Sequence, residues 1–445
     1  MSTLRRAIVL PAATALVVGT IIGSSIFVQA SEITALVPSP LAVVLAWAAA
    51  GVLTLIGALV CAELASAYPR TGGVYVFLKE IYAPSLGFLW GWAMFWTMHS
   101  GILAAVATVF ARYAGYFVPM GDTATRLVAI GAILVLSAIN YLGVRLGSRV
   151  QSAFTLVKVV AVIGIIAVGW ALGDPAAAAP ATPAVAIGAG NFLLAVGAGL
   201  FAFGGWHMVT YTAEETVDPT RTIPRSLLIG VVVVTLCYIG LNAVYLRVLT
   251  IDKVIASSRV AADTFDVLVG PGGGSVISAL VMFSAFGALN GIVLAGPRVY
   301  YQMSQDGLWF KWAGHLHPTY QTPGRAILLQ AVWSSVLVLT GTYRALFTRV
   351  IYTEWIFFAL LALGVVLLRR RPGYQPAWRM PLVPLAPILF VLVSAAIVVN
   401  QVRADPANSA IGLLIVASGV PAYYFWTRRR RSVRSRAVAP ERPES

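Results

Sequence analysis

Charged residues are scarce in this chain of 445 residues: Asp, Glu, Lys and Arg together make up 11% of it, whereas apolar residues make up 59%. Soluble globular proteins carry about 25% charged residues. The chain therefore lacks the polar side chains that would cover a water-facing surface of its size, and its mean hydropathy is +0.85. A soluble enzyme is excluded, and the sequence predicts an all-α integral membrane protein.

Residues that commonly build catalytic and metal sites are also scarce. The two cysteines, Cys61 and Cys237, lie inside apolar runs, and the four histidines are scattered. The sequence has no His-Glu-x-x-His or Cys-x-x-Cys spacing and no Gly-x-x-x-x-Gly-Lys loop. We therefore predict no metal, no cofactor, no disulfide framework and no direct use of ATP. An enzyme would need a nucleophile and base, or a metal set, at membrane depth, and the sequence indicates none.

Apolar stretches recur along the whole chain. A membrane-spanning helix needs about 20 apolar residues. Stretches of roughly this length, separated by proline, glycine or charge, are numbered here as spans 1 to 12: 8–35, 40–66, 85–118, 125–142, 150–172, 189–213, 226–249, 274–303, 326–343, 349–368, 382–400 and 409–427. The connecting segments are short. We therefore predict one transmembrane domain over 1–427 and a basic tail over 428–445, disordered from residue 432.

Lysine and arginine are unevenly distributed between alternate connecting segments. If both termini are cytoplasmic, 22 of the 31 Lys and Arg residues lie in cytoplasmic segments and eight lie outside. Because positive charge concentrates on the cytoplasmic side of membrane proteins, we predict this orientation in the cell membrane. Seven arginines fall in the last 18 residues, where a tail next to the membrane would contact anionic lipid. A nucleic-acid partner is not expected.

Two spans contain small residues that disfavour a continuous helix, at 19–27 in span 1 and at 201–206 in span 6. Glycine costs about 1 kcal/mol in a helix interior. Unwound backbone at membrane depth is tolerated where it is buried or lines a cavity, and its N–H groups attract a carboxylate while its carbonyls attract an ammonium. Close helix packing is the alternative for either segment alone. As the first helices of two five-helix units, however, the pair fits an inverted repeat over 8–172 and 189–368.

Three sequence blocks carry a family resemblance. They are Gly-Thr-Ile-Ile-Gly-Ser-Ser-Ile-Phe at 19–27, Ala-Glu-Leu at 62–64 with Pro-Arg-Thr-Gly-Gly-Val-Tyr at 69–75, and Phe-Ala-Phe-Gly-Gly-Trp at 201–206 followed by Glu-Glu at 214–215. On these blocks the chain resembles amino acid permeases of the amino acid–polyamine–organocation (APC) superfamily, closest to the L-type branch. The resemblance implies a leucine-transporter-type fold: two inverted five-helix repeats, with helices 1 and 6 broken, plus two extra helices over 382–427.

The resemblance also implies a substrate site at the two breaks. The backbone of Gly23, Ser24 and Ser25 would hold the substrate carboxylate, and carbonyls near Phe201, Ala202 and Gly204 would meet the α-amino group. Phe201 resembles the family's aromatic gate. Ser25 stands where the family has a second glycine, and its Cβ narrows the space beside the carboxylate. The candidate substrate-binding residues at the breaks are Ile22, Gly23, Ser24, Ser25, Phe201, Ala202, Phe203, Gly204 and Trp206.

Lys158 lies in the middle of span 5. A charged group at membrane depth is costly, so it is a functional candidate by default. In sodium-coupled relatives Na⁺ bridges helices 1 and 8 beside helix 5, and in the L-type branch a matching lysine places its ammonium there. We therefore interpret Lys158 as a tethered cation that holds the unwound part of span 1. Proton coupling through Lys158 stays open.

Four further side chains each have two interpretations. Glu354 in span 10 either lines the substrate site or is solvated at the outer end of its helix. Asn290 in span 8 either faces the site or bonds helix to helix, and Trp206 either floors the pocket or packs. His99 in span 3 fits a packing residue better than a ligand.

The sequence thus predicts a secondary transporter of amino acids or their derivatives that works by alternating access, as a sodium-independent exchanger or a proton symporter. A glycated amine such as fructoselysine, or a polyamine, is the alternative substrate. A channel or an intramembrane enzyme is a remote alternative from another class. Some animal relatives bind a heavy chain through a cysteine after helix 3. Because 119–125 has no cysteine, we expect no disulfide-linked subunit.

Overall fold

The structure is a computed structural model, which describes residues 4–23, 25–174, 187–257, 259–270, 272–340 and 343–437. Within these ranges the secondary structure is helical, apart from one isolated bridge between Ile8 and Thr216. The prediction of an all-α protein is confirmed.

The α-helices are, in chain order, α1 (Leu10–Ile21), α2 (Ser25–Leu36), α3 (Pro40–Ala67), α4 (Val74–Ile81), α5 (Pro84–Ala93), α6 (His99–Ala114), α7 (Asp122–Tyr141), α8 (Val144–Leu172), α9 (Ala189–Ala202), α10 (Pro219–Val248), α11 (Ile251–Ala256), α12 (Val260–Val269), α13 (Gly273–Ala295), α14 (Pro297–Gln305), α15 (Gly324–Thr340), α16 (Tyr343–Leu368), α17 (Leu385–Ala404) and α18 (Pro406–Ala437). A π-helical turn (Met94–Met98) joins α5 to α6, and two 3-10 helices lie at Trp206–Glu215 and Lys311–Gly314.

Ten helical stretches in the described part of the chain are long and apolar enough to cross a membrane, and two shorter apolar helices lie in spans 9 and 10. Large apolar side chains are exposed on the outer faces of these helices, for example Leu156, Leu236, Leu392 and Leu414. Apolar surface on this scale is expected where lipid, rather than water, covers a protein.

Two helices are interrupted where the sequence predicts it. In span 1, α1 ends at Ile21 and α2 begins at Ser25; in span 6, α9 ends at Ala202 and the 3-10 helix begins at Trp206. Gly205, between α9 and this 3-10 helix, has a φ of +99°, which a residue with a Cβ rarely adopts. The break in span 6 therefore depends on a glycine.

Two other helices are irregular without being broken open. The π-helical turn Met94–Met98 lies within span 3, and such turns are rare in helices. In span 8, α13 gives way to α14 at Gly296 and Pro297, although Gly296 keeps helical backbone angles. Pro297 has no N–H to donate to the preceding turn, so the helical ladder is interrupted there.

Several predicted boundaries are wrong. Helix α8 begins at Val144, directly after Gly143, rather than at 150. Helix α10 begins at Pro219 rather than 226, because proline is favoured at a first helical position and here extends the helix into a polar segment. Segment 250–273, predicted as a loop, contains α11 and α12. Helix α18 continues to Ala437, so residues 432–437, predicted to be disordered, are helical.

Candidate functional site

The carbonyl groups at the break in span 1 accept hydrogen bonds from side chains of other helices. Lys158 of α8, 3% exposed, donates from Nζ to the Gly19 oxygen at 2.8 Å and to the Ile22 oxygen at 2.7 Å. Ser284 of α13 donates to the oxygens of Ile22, at 3.3 Å, and Gly23, at 3.2 Å. A helix end leaves carbonyls without partners, and here a buried ammonium and a hydroxyl supply them.

Tyr238 of α10 connects the two breaks. Its hydroxyl lies 2.8 Å from the oxygen of Ile21, the last residue of α1, and 3.0 Å from the oxygen of Ala202, the last residue of α9. A tyrosine has one O–H proton, so the two carbonyls share it. Its ring packs against Trp47 and Phe203, with centroid separations of 5.3 Å and 5.0 Å, and these two rings also contact each other.

The two breaks also touch directly. The Oγ1 of Thr20 in α1 lies 3.2 Å from the oxygen of Gly205, which shares the hydroxyl proton with the Leu16 oxygen at 2.7 Å and the Val17 oxygen at 3.0 Å in the same helix. A Cβ at Gly205 would lie 3.1 Å from the Thr20 Cβ and 3.3 Å from its carbonyl oxygen, so glycine also allows the close approach. The ends of four helical segments, α1, α2, α9 and the Trp206–Glu215 helix, therefore meet in one buried region.

The start of α2 supplies N–H groups and partial positive charge to the same region. Its first residues, Ser25, Ile26 and Phe27, are buried, and the first N–H groups of a helix have no intrahelical acceptor. The partial positive charge of a helix start favours an anion. Ser24, predicted to contact the carboxylate, lies outside the described residues.

The candidate residues of span 6 lie directly before and after its break. Phe201 is 8% exposed, and Ala202 and Phe203 are buried. Gly204 donates its N–H to the Phe201 oxygen at 2.8 Å. Trp206 starts the 3-10 helix, packs on Phe358 of α16 at 5.0 Å between ring centroids, and is itself buried.

Asn290 lies in a hydrogen-bond network that connects three helices, α7, α8 and α13. Its Nδ2 donates to the Gly147 oxygen at 3.0 Å and to Gln151 Oε1 at 3.1 Å, and its Oδ1 accepts from Asn140 at 2.8 Å. Gln151 Nε2 would lie 2.1 Å from a Cβ at Gly19 of α1. Gln151 therefore packs closely against α1. The contacts of Asn290 match the helix-to-helix interpretation.

Two ionisable candidates are buried in the bundle. Glu354 of α16 is 6% exposed, which contradicts the solvated interpretation. His99 is buried, with its Nε2 2.9 Å from the Ile292 oxygen of α13, as a packing residue would be. The described residues contain no group of three or more His, Cys, Asp or Glu that could hold a metal.

Ion pairs gather at one end of the bundle, which we call the basic end after Arg70, Lys79, Arg298 and Arg369. Glu63, buried, accepts from Arg369 at 2.6 and 3.0 Å, and Lys79 lies 2.6 Å from Asp306. These pairs connect α3 with the end of α16, and α4 with the residue after α14. The three-dimensional arrangement thus combines a buried polar crossing of broken helices with a closed, charged end.

The sequence matches the amino acid permease family over residues 8–420. The chain belongs to this family. The permease is 31% identical over 433 residues to the serine/threonine exchanger SteT of Bacillus subtilis (strain 168), covering 96% of the chain and 98% of the relative. It is 30% identical over 420 residues to the b(0,+)-type amino acid transporter 1 of Homo sapiens (92% and 86% covered), and 28% identical over 449 residues to the Asc-type amino acid transporter 1 of Mus musculus (97% and 83%).

These findings confirm the resemblance noted from the sequence. The permease is a multi-pass membrane protein that transports amino acids, and it is not an enzyme. The sequence analysis did not find Tyr238, Ser284 or Gln151. Each is a polar residue within an apolar span, and no spacing pattern distinguishes it from a residue that only packs.

Proposed function

We propose that the permease is a sodium-independent exchanger of zwitterionic amino acids. The observation that carries the proposal is the pair of hydrogen bonds from Lys158 to the carbonyls of Gly19 and Ile22. The ammonium occupies a position where carbonyl oxygens and the Ser284 hydroxyl converge, which is the kind of ligand set a sodium ion would use. A fixed charge at this place removes the need for a mobile cation.

The substrate would bind where the broken helices cross. Its carboxylate would meet the N–H groups at the start of α2, near Gly23 and Ser25, and its α-amino group would join Tyr238 at the carbonyl ends of α1 and α9. Backbone groups would bind only the carboxylate and α-amino group of the substrate, so the side chains that line the site would select the substrate side chain. Phe201 would close over the substrate and Trp206 would floor the pocket.

Alternating access would use a rocking group of α1, α2 and span 6 against a scaffold of spans 3, 4, 8 and 9. The helices then form two inverted repeats over 8–172 and 189–368, with two further helices over 382–427. Both termini would lie in the cytoplasm, so the basic end would face inward and the tail from residue 428 would contact the anionic leaflet of the cell membrane.

Relatives suggest the substrate class. One is named for serine and threonine, and others are named as amino acid transporters of the Asc and b(0,+) types. We propose small neutral amino acids as substrates, with serine and threonine first. The buried carboxyl group of Glu354 favours a second candidate, a cationic or glycated amine, because a positive side chain would pair with it.

The experiment is uptake of labelled serine and threonine by the purified permease in proteoliposomes. For an exchanger, unlabelled serine inside the vesicles stimulates uptake at least tenfold, and replacing Na⁺ by choline has no effect. Lysine, putrescine and fructoselysine, added as competitors, test the second candidate. Uptake into empty vesicles driven by a proton gradient would make the permease a symporter, and dependence on Na⁺ would overturn the role of Lys158.

A further inference from the structure

A buried ion pair lies in the contact between span 8 and the broken helices of spans 1 and 6, which we call the seam. Arg298 of α14 donates from Nε and Nη2 to the two carboxylate oxygens of Glu215, at 2.9 and 3.0 Å. The side chains are 1% and 0% exposed. Arg298 also donates from Nη1 to the Leu294 oxygen, which fixes the guanidinium at the end of α13.

The Glu215–Arg298 pair lies at one end of the seam. Gly291, Ala295 and Arg298 are spaced four and three residues apart on span 8, so they share one helical face. At the upper end of this face, a Cβ on Gly291 would lie 2.5 Å from Thr20 of α1. At the lower end, Arg298 holds Glu215, the last residue of the 3-10 helix that follows the break in span 6.

The same glutamate also holds the segment before α1. The N–H groups of Ala7 and Ile8 donate to the Glu215 carbonyl at 2.8 and 2.9 Å, and Val217 N–H donates to the Ile8 oxygen at 2.8 Å. Glu215 therefore connects three parts: the chain leading into α1 and the end of the Trp206–Glu215 helix through its backbone, and α14 through its carboxylate. A displacement of α1 would pull directly on the ion pair.

We propose that Glu215 and Arg298 are positioning residues of the transport cycle, forming a latch that keeps the seam closed at the basic end, and that residues 7 and 8 couple α1 to this latch. The inference rests on the proposed function in that it assigns the latch to alternating access. Burying two charges is costly, and their attraction compensates only while they are paired. When the seam opens, water hydrates both charges, so an ionic latch can release, whereas an apolar contact would expose its surface.

Accessibility of one residue on this face tests the latch without measuring transport. In a background with Cys61→Ala and Cys237→Ala, the reporter is Ala295→Cys, since Ala295 is 0% exposed. Labelling by a hydrophilic maleimide is followed in detergent micelles. Glu215→Gln leaves the buried Arg298 without a counter-charge, so we expect labelling of the reporter to become at least tenfold faster.

Three further variants make the comparison specific. The double variant Glu215→Arg with Arg298→Glu restores opposite charges and should bring the labelling rate back to within threefold of the parent. Glu214→Gln, one residue away and not paired with Arg298, is the matched control and should leave the rate unchanged. Ala7→Pro removes one N–H donor without touching a charge and should raise the rate at least threefold.

The outcomes separate the two proposals. Labelling that stays at the parent rate in Glu215→Gln and in Ala7→Pro overturns the latch, even if both variants lose transport. If Glu215→Gln does not fold, the charge-reversed double variant decides: a rate more than tenfold above the parent contradicts the latch. Reporter labelling that responds as expected, together with uptake that depends on Na⁺ in the parent, would leave the latch standing and sink only the proposed exchange.

Discussion

Gly19 in α1 allows the closest approach between the broken helix and α8, and replacing it with alanine tests that contact. A Cβ at this position would lie 2.1 Å from Gln151 Nε2 and 2.2 Å from Thr155 Oγ1. Neither atom can easily give way. Gln151 is held through its Oε1 by Asn290 at 3.1 Å, and Thr155 donates to the Ala15 oxygen at 2.9 Å. The two helices must therefore separate, or these hydrogen bonds must break.

The size of the effect follows from these contacts. Overpacking a buried site costs about 1–3 kcal/mol, and losing two buried hydrogen bonds adds about 1–3 kcal/mol. Alanine returns about 1 kcal/mol through its higher helix propensity. The net cost to this conformation is about 3 kcal/mol. Since about 1.4 kcal/mol is a tenfold change in an equilibrium constant, Gly19→Ala should lower the equilibrium constant that favours this conformation roughly 100-fold.

Exchange of labelled serine in proteoliposomes and thermal unfolding in detergent measure the effect. Gly131→Ala is the matched control, because this residue is also helical and a Cβ there meets nothing within 4 Å. We expect Gly19→Ala to slow exchange at least tenfold and to lower the unfolding temperature relative to Gly131→Ala. Equal exchange rates and equal unfolding temperatures in the two variants would refute the reasoning.

Three other substitutions test the polar crossing. Lys158→Met should abolish exchange while protein still inserts, because the Gly19 and Ile22 carbonyls lose the ammonium and Ile22 keeps only the Ser284 hydroxyl, whereas Lys158→Arg should retain part of the activity; normal uptake by the methionine variant across pH contradicts a tethered cation. Tyr238→Phe should reduce exchange at least tenfold, since Ile21 and Ala202 lose their shared donor; an unchanged maximal rate with unchanged KM shows that the hydroxyl is dispensable. Ser25→Gly should keep or lower the KM for serine and alanine, and a higher KM in folded protein counts against crowding of the carboxylate.

The breaks could be predicted because their cause is local. Glycine next to serine at 19–27, and two adjacent glycines at 201–206, weaken the helix in an apolar span whatever surrounds them. Lys158 was predictable for a related reason, since a charge in the middle of an apolar span requires a partner. The region where the substrate site is expected was therefore predictable before any contact was known.

The partners of the broken helices could not be predicted in the same way. Tyr238 and Ser284 lie more than 200 residues along the chain from the carbonyls to which they donate at the first break. Whether their side chains reach these carbonyls depends on how α10 and α13 are rotated about their axes. Asn290 shows the converse: its amide was a candidate for the site, but neighbouring helices engage both of its polar atoms. Pairing across helices is a property of tertiary packing, which residue type alone does not determine.

The π-helical turn Met94–Met98 affects which length changes span 3 can accept. Such a turn takes up one residue more than an α-helical turn, because its hydrogen bonds run from i to i+5. Deleting one residue there would convert it to α-helix and leave α5 and α6 in their present register. The same deletion at Ala105 would rotate the rest of α6 by about 100° and shift it by about 1.5 Å, and would turn buried faces such as that of Val109 away from their neighbours. Single-residue deletions in this span should therefore be tolerated at the turn and rejected elsewhere.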